Sequence, residues 1–166
     1  SDGLLCLPYF GGERTPLNDP EARGVFFGLT SRHTRGHMVR AALEGIAYTV
    51  AAHVDIIERE HGLPIERIML VGGGTKNPAW MQAIADVCGR AVSVAKVTMG
   101  ACFGDALMAA LAGGAYDGWD ELGEQLGVAQ TIEPDREVYE LYAHRRHIFD
   151  DLYTRNRDLM HELALP

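Results

Sequence analysis

Apolar residues recur at helical spacing between residues 34 and 62. The stripe is formed by Val39, Leu43, Ile46, Val50, Val54 and Ile57. Successive members are three or four residues apart, which places them along one side of a helix. Thr34 is a suitable N-cap, and Gly62 is a suitable stop, with Pro64 just beyond it. The pattern therefore predicts one long helix, in which Gly45 and the neighbouring alanines allow another backbone to approach closely.

The middle of the chain alternates short apolar runs with short helical patterns. Residues 67–71 predict a buried strand and residues 91–97 a second strand, followed by a break at residues 98–100. A helix follows each strand, the first stopping at Gly89 and the second at Gly113. The inward positions are Met81, Ile84, Ala85 and Cys88 in the first helix and Phe103, Ala106, Leu107, Ala110 and Leu111 in the second. Because strands and helices alternate, we predict an α/β fold.

The segments before the long helix carry weaker patterns. Residues 4–10 have the composition of a strand, which a proline limits to a short or edge strand. Residues 11–24 are rich in turn-forming residues, and we expect the apolar patch at 25–27 to lie in an ordered loop. Glu13 and Arg14 are candidates for a local ion pair that pins this region.

The tail from residue 117 is predicted to be mostly helical. A short helix at 119–126 precedes a long helix opened by Pro134. The apolar positions of that long helix are Val138, Leu141, Tyr142, Phe149, Leu152 and Leu159. Its remaining faces are rich in charge, so it could pack on its own domain or on a second copy of the chain. The sequence leaves a homodimer open.

Length and composition fit a single globular domain. The chain has 166 residues, 47% of them hydrophobic and 23% charged, close to the globular average. A net charge of −8 gives no long-range attraction to phosphate backbones or anionic lipid, which argues against nucleic-acid and membrane-surface partners. No apolar run reaches the length of about 18 residues that a membrane span needs. Cys6, Cys88 and Cys102 do not form a disulfide framework, which predicts a reducing, cytoplasmic location.

Three consecutive glycines, Gly72, Gly73 and Gly74, follow the first strand of the α/β segment. Glycine costs about 0.5–1 kcal/mol of extra chain entropy relative to alanine, so such a run indicates positive φ angles or close contact with another group. Asn77 fits the N-cap and Pro78 the first position of the next helix. Ligands of open α/β sheets bind at the carboxyl ends of strands, so a purine ring or a ribose could rest on this backbone.

The residues alone leave two interpretations of the glycine run: a nucleotide site, or a tight turn before a well-capped helix. Lys76 is followed by Asn77 rather than by Ser or Thr, so the P-loop motif is absent. The GxGxxG fingerprint of dinucleotide sites, with its acidic residue about 20 positions on, is absent as well.

Histidine pairs give a weaker indication of chemistry. His33 and His37 are four residues apart, and His144 and His147 are three apart, either of which could place two rings on one helix face. Neither pair comes with a third ligand or an HExxH pattern, so we predict no metal site.

The charged residues on the predicted helices have local interpretations. Arg40 and Glu44 lie one helical turn apart and are expected to pair on the surface. Asp86 is expected on the exposed face of its helix, and Asp105 is expected to cap or pair with a neighbouring loop. None has a visible partner for proton transfer, so the residues name no general base.

Taken in order, segments over nearly the whole chain resemble the FGGY family of carbohydrate kinases. The first matching stretches are LPYFGGERTP at 7–16, NDPEARG at 18–24, GLT at 28–30 and RAALEGIA at 40–47. Later ones are GGG at 72–74 with Asn77, WMQ at 80–82, Ala85, Asp86 and Gly89, and the glycine-bearing helix start at 100–107. Within the family, the GERTP and NDP stretches are most similar to those of the xylulose kinases.

The resemblance implies a ribonuclease-H-like fold of the actin and hexokinase type, with an active site between two domains. This chain resembles the later part of the second, ATP-binding domain, so its fold is expected to be incomplete at the N-terminal side. Three parts are expected: a strand and ordered loop over 1–33, an α/β nucleotide-binding core over 34–116, and C-terminal helices over 117–166.

The resemblance also implies where the substrates bind. Gly72, Gly73 and Gly74 would line the adenine and ribose of ATP, and Asn77 would contact the nucleotide, while Mg²⁺ would be held through the ATP phosphates. The family's catalytic aspartate and most sugar contacts belong to the upstream part. We therefore predict no catalytic residue in this chain, no kinase activity from the 166 residues alone, and a sugar substrate bound through the missing domain.

Three functions follow from these readings. The first is part of a sugar kinase that transfers the γ-phosphoryl group of ATP to a ketopentose such as D-xylulose; ribulose, glycerol and erythritol are alternative acceptors. The second is a nucleotide-binding module without catalysis. The third is a regulatory or structural protein in which the glycine run is only a turn.

Overall fold

The computed structural model describes residues 1–97 and 100–164. Two of the three residues of the predicted break at 98–100 therefore lie outside the described part. The strands are β1 (Leu5–Leu7), β2 (Val25–Phe27), β3 (Ile68–Leu70), β4 (Val92–Ala95) and β5 (Val128–Ile132). The helices are α1 (Arg35–His61), α2 (Pro78–Cys88), α3 (Ala101–Ala112), α4 (Trp119–Gln125) and α5 (Arg136–Ala164).

A three-stranded sheet carries the predicted α/β segment. Its order is β3–β4–β5, with β3 parallel to β4 and β5 antiparallel to β4. All of β4 is buried, whereas Met69 at the centre of β3 is exposed and its two neighbours are half-buried. The prediction of a buried strand at 67–71 was therefore right about the strand and wrong about its burial, because β3 pairs on one side only within the described residues.

Strand β5 was missed by the sequence analysis, which predicted a mostly helical tail. Its residues pair with β4 from Val92–Ile132 to Ala95–Val128, across an irregularity between Val94 and Ala95. Only Ile132 is buried in β5. A strand that shows its other four residues to solvent has no alternating apolar pattern for the sequence to reveal.

The apolar patch at 25–27 forms strand β2 rather than the expected loop. It pairs antiparallel with β1, from Leu5–Phe27 to Leu7–Val25. β1 is fully buried and packs against α1. A separation of 17 residues between the two strands hides this pairing from short-range turn signals.

Helix α1 has the predicted bounds but packs with a different face. Thr34 is its N-cap, and Gly62 ends it in the left-handed conformation at φ 61°. Val39, Ile46 and Ile57 of the predicted stripe are 57%, 38% and 40% exposed. The buried positions are Ala41, Glu44, Gly45, Ala47, Tyr48, Ala51 and Val54.

The small residues of α1 explain this choice of face. A side chain at Gly45 would overlap the carbonyl oxygen of Cys6 in β1. The backbone of β1 can therefore lie directly on the helix, and close contact over many atoms stabilises this face. The prediction that Gly45 permits close approach is confirmed, while the larger apolar side chains are left partly in solvent.

Helix α2 lies between the long helices and the sheet, and it has the predicted bounds from Asn77 to Gly89. Met81, Ile84 and Ala85 are buried as predicted, and Cys88 is half-buried. They join Tyr48 and Phe149 in the main core. Helix α3 departs from its prediction, since only Leu107 of its five inward positions is buried.

A buried aspartate ties the turn-rich segment to helix α5. The Asp19 carboxylate accepts hydrogen bonds from Tyr153 Oη and His161 Nε2, both at 2.8 Å, and from the backbone N–H of Glu21 at 3.0 Å. Glu13 pairs with Asp19 through backbone hydrogen bonds, and no ion pair joins it to Arg14 within the described residues. The loop is ordered as predicted, but through a different residue.

Among the described helices, none combines the length and the apolar character needed to cross a bilayer.

Candidate functional site

The glycine run lies between the end of β3 and the start of α2. Residues Gly73–Lys76 form one turn of 3-10 helix. The hydroxyl of Thr75 donates to the carbonyl of Gly72 at 2.7 Å, and the backbone N–H of Asn77 donates to that of Gly74 at 3.0 Å. The loop is therefore an ordered turn at the carboxyl end of an edge strand.

The three glycines have three different environments. Gly72 has φ 88°, a left-handed conformation that favours glycine. A side chain on Gly74 would overlap the indole ring of Trp80. Gly73 has neither reason: its φ lies outside the left-handed region, and a β-carbon there would meet no atom of residues 1–97 and 100–164 within 4 Å. The chain's own fold therefore requires glycine at 72 and 74 but leaves Gly73 facing open space.

Asn77 is the N-cap of α2. Its Oδ1 accepts hydrogen bonds from the backbone N–H groups of Ala79 at 3.1 Å and Trp80 at 3.2 Å. Pro78 occupies the first helical position, where the missing N–H costs nothing. The side chain is exposed, and its Nδ2 group donates to none of the residues in 1–97 and 100–164.

Beneath the start of α2 lies a buried network that the sequence placed on the surface. Glu44 is only 1% exposed. Its Oε1 accepts from Arg40 Nε and from Tyr142 Oη, both at 2.8 Å, and its Oε2 accepts from the hydroxyl of Ser1. The predicted pair of Arg40 and Glu44 forms, but its carboxylate is buried rather than on the surface, because α1 turns its small-residue face inward and Glu44 shares that face.

Hydrogen bonding decides the charge of this network. Burial by itself would raise the pKa of Glu44, but hydrogen bonds from Ser1, Arg40 and Tyr142 outweigh it and leave the pKa below its ordinary value. Burial raises the pKa of Tyr142 to about 12, so its hydroxyl keeps the proton that it donates. Glu44 is therefore a carboxylate at neutral pH, fully supplied with donors.

Comparison with known proteins decides the family. The FGGY family of carbohydrate kinases, C-terminal domain, matches residues 1–113. The chain belongs to this family. The xylulose kinase of Escherichia coli (strain K12) is 37% identical to it over 96% of this chain and 33% of that protein. The gluconokinase of Bacillus subtilis (strain 168) is 32% identical over 95% of this chain and 32% of that protein.

A solved structure supports the same assignment. The crystal structure of xylulose kinase from Rhodospirillum rubrum matches with a TM-score of 0.82 and 37% identity, over 96% of this chain and 32% of that one. The predicted α/β fold of the actin and hexokinase type is thereby confirmed. The chain spans about a third of the length of the FGGY relatives that it matches.

The histidine pairs of this FGGY domain have structural surroundings. His37 Nδ1 accepts from the backbone N–H of Thr34 at 3.0 Å and completes a capping box at the start of α1. His33 lies before the helix, as predicted, and its Nδ1 accepts from the N–H of Thr30 at 2.9 Å. His144 and His147 are exposed on α5. Within residues 1–97 and 100–164, no three His, Cys, Asp or Glu side chains lie close enough together to hold a metal ion.

The two aspartates singled out by the sequence both differ from expectation. Asp86 is 4% exposed rather than on the outer face, and its Oδ1 accepts from Gln82 Nε2 at 2.8 Å and from the N–H of Asp135 at 2.9 Å. It joins α2 to the start of α5. Asp105 is exposed and makes no hydrogen bond or ion pair with the described part of the chain.

Two residues next to the FGGY glycine run were missed by the sequence analysis. Trp80 packs against Gly74, and Arg40 Nη1 donates to the carbonyl of Ala79 at 3.2 Å. The sequence analysis names Trp80 only as part of the WMQ stretch of the FGGY resemblance and assigns it no contact with the glycine run. Arg40 precedes Ala79 by 39 residues, so only the fold brings the two together.

Proposed function

We propose that the chain forms the adenosine-binding side of the cleft in an ATP-dependent sugar kinase. The observation that carries the proposal is the run of three glycines at the carboxyl end of β3, in which Gly73 is exposed and neither its φ nor a described neighbour within 4 Å calls for glycine. A side chain there would project into the open space beside the loop, where a purine or ribose would lie. The FGGY membership of the chain supports a carbohydrate kinase as the whole protein.

In this proposal the chain binds and orients the nucleotide. Gly72, Gly73 and Gly74 offer backbone on which the adenine and ribose lie, and Asn77 offers an exposed amide at the N-terminus of α2. The open surface at Gly73 fits a flat ligand. ATP supplies the γ-phosphoryl group, and Mg²⁺ is carried by its phosphates rather than by ligands of this chain. Positioning and charge stabilisation across a closed cleft account for catalysis of this type.

The remainder of the protein is proposed to supply the sugar site and the catalytic base. Exposed apolar surface is offered to it by Val39, Ile46 and Ile57 on α1. Backbone groups are offered by the side of β3 on which no strand of the described residues pairs. We propose a ketopentose such as D-xylulose as the acceptor, on the basis of the GERTP and NDP stretches and the 37% identity to a xylulose kinase. The 32% identical gluconokinase makes gluconate the first competitor to test.

A phosphoryl-transfer assay on the polypeptide as its gene encodes it tests this function. With ATP and Mg²⁺, we expect the highest kcat/KM with D-xylulose, compared with D-ribulose, gluconate, glycerol and erythritol. The 166 residues expressed alone are expected to show no turnover, since they lack half of the cleft. Preference for another acceptor would show that the proposed substrate is wrong. Nucleotide binding without transfer to any acceptor would favour a non-catalytic module.

The substitution Asn77→Asp separates the cap from the nucleotide contact. Aspartate caps helices as well as asparagine does, so the free energy of unfolding is expected to change by less than about 0.5 kcal/mol. The Nδ2 donor is lost, and the affinity for a nonhydrolysable ATP analogue is expected to fall at least about tenfold, or about 1.4 kcal/mol.

Calorimetric titration and thermal unfolding of the same samples check both parts of this expectation. Asn77→Ala is the companion variant, because it removes the cap as well and should cost about 1 kcal/mol of stability. Unchanged affinity in Asn77→Asp would show that Asn77 only caps the helix.

A further inference from the structure

The guanidinium of Arg40 joins three separate parts of the fold. Its Nε donates to the buried carboxylate of Glu44 at 2.8 Å, and its Nη2 donates to Tyr142 Oη on α5 at 3.0 Å. Its Nη1 donates to the backbone carbonyl of Ala79, in the first turn of α2, at 3.2 Å. Each contact uses a different nitrogen, which only the planar fork of arginine provides.

We propose that Arg40 is a positioning residue for the nucleotide, acting through the first turn of α2. The proposal rests on the proposed function of the glycine run. Arg40 belongs to a helix distant in sequence from the loop and reaches that turn through the carbonyl of Ala79.

The exposed start of α2 has few attachments of its own, whereas the next two residues, Trp80 and Met81, pack on the main core. Asn77, Pro78 and Ala79 are all exposed, so they bury little apolar surface that could hold the turn in place. Ala79 is instead held by hydrogen bonds of its backbone N–H and carbonyl groups. Its N–H donates to Asn77 Oδ1, and its carbonyl accepts from Arg40.

Movement of this turn would reach the glycine run directly. Trp80 follows Ala79, and its indole ring lies where a side chain on Gly74 would be. The ring therefore sets the position of Gly74 and, through it, of Gly73. A shift of the Ala79 carbonyl would carry Trp80 with it and change the surface on which the purine and ribose are proposed to lie.

The anchor of Arg40 makes it a rigid support rather than a surface contact. Glu44 is buried and ionised, and it accepts from Tyr142, whose oxygen in turn accepts from Arg40. These three side chains form a closed ring of hydrogen bonds. The arginine side chain itself is 31% exposed, so replacing it leaves no large internal cavity.

The variant Arg40→Met in the polypeptide as its gene encodes it tests the proposal. We expect the KM for ATP to rise about tenfold, the change expected when one hydrogen bond from a charged donor is lost. The KM for the sugar and kcat are expected to stay within about twofold, because Arg40 touches neither reactant. Arg40→Lys keeps the charge opposite Glu44 but loses the fork, and it should give an intermediate KM for ATP.

Arg59→Met is the matched control, since Arg59 lies on the same helix and its one ion pair within the described part of the chain is with exposed Glu60 at 3.0 Å. It should leave all constants unchanged. The inference is wrong if folded Arg40→Met keeps the wild-type KM for ATP, or if kcat falls and both KM values rise together with a loss of thermal stability. Replacement of Gly73 separates the two proposals. If a large residue there leaves nucleotide binding intact, the proposed function fails. If a large residue there abolishes nucleotide binding while Arg40→Met keeps the wild-type KM for ATP, this inference alone is overturned.

Discussion

Replacing Gly73 by leucine is expected to abolish nucleotide binding and leave the fold intact. The leucine would stand in the open space where the purine and ribose are proposed to lie, so the two cannot occupy it together. The loss of affinity should exceed about a hundredfold, or about 2.7 kcal/mol. The fold should tolerate the change because a β-carbon at this position meets nothing within 4 Å and the backbone is not left-handed.

Calorimetric titration with a nonhydrolysable ATP analogue measures the binding, and thermal unfolding measures the fold. Gly118→Leu is the matched control, since Gly118 has extended backbone at φ 178° and equally open surroundings, far from the loop in sequence. It should leave the affinity unchanged, and it should lower the stability by no more than about 1 kcal/mol because Gly118 is the N-cap of α4. Wild-type affinity in Gly73→Leu would show that the loop is only a turn and would remove the basis of the proposed function.

Helix ends were the part of this fold that the sequence predicted best. Both α1 and α2 begin at a capping side chain, Thr34 and Asn77, and stop at a glycine with positive φ, Gly62 and Gly89. These signals are local, because a cap satisfies backbone groups within three residues of itself. Nothing distant in the chain is needed to recognise them.

The packed face of α1 could not be predicted in the same way. The stripe with Val39 and Ile46 has the larger apolar residues, yet Gly45 and Ala47 face the core. Close approach of β1 decides the outcome, and β1 is about 30 residues away in the sequence. The same long-range packing buries Glu44, whose neighbour Arg40 four residues earlier suggested an ordinary surface pair.

The sequence predicts the candidate site from its glycines, but it does not predict which groups surround each glycine. A run of three glycines and a following cap mark the loop, and the FGGY resemblance predicts that it binds the nucleotide. The sequence cannot show that glycine at 74 makes room for Trp80 and that glycine at 72 permits the positive φ of the turn. It therefore cannot single out Gly73 as the residue whose replacement tests nucleotide binding. That distinction depends on space around each Cα and needs coordinates.

Replacing Glu44 by glutamine is expected to lower the stability of the protein strongly. The Glu44 carboxylate accepts hydrogen bonds from Arg40 and Tyr142. A glutamine amide carries no charge, so the Arg40 guanidinium would lose its ion-pair partner. Breaking a buried pair by removing one partner costs about 3–5 kcal/mol. Because Arg40 is partly exposed, we expect a loss of about 3 kcal/mol in the free energy of unfolding, measured by urea denaturation.

Glu60→Gln is the matched control, on the same helix but exposed and paired only with its neighbour Arg59. Its effect should stay below about 0.5 kcal/mol. The pH dependence gives a second check. The folded state lowers the pKa of Glu44, so its contribution is complete above the ordinary value of 4.5 and is lost as the pH falls through the lower, folded value.

The difference in stability between the wild type and Glu44→Gln should therefore be constant near neutral pH and shrink below about pH 4.5. A difference that persists unchanged in acid would mean that packing of the side chain, and not its charge, holds the three helices together. In that case Arg40→Met and Glu44→Gln would also add independently, whereas a charge-dependent ring predicts that the double variant loses less than the sum of the two single losses.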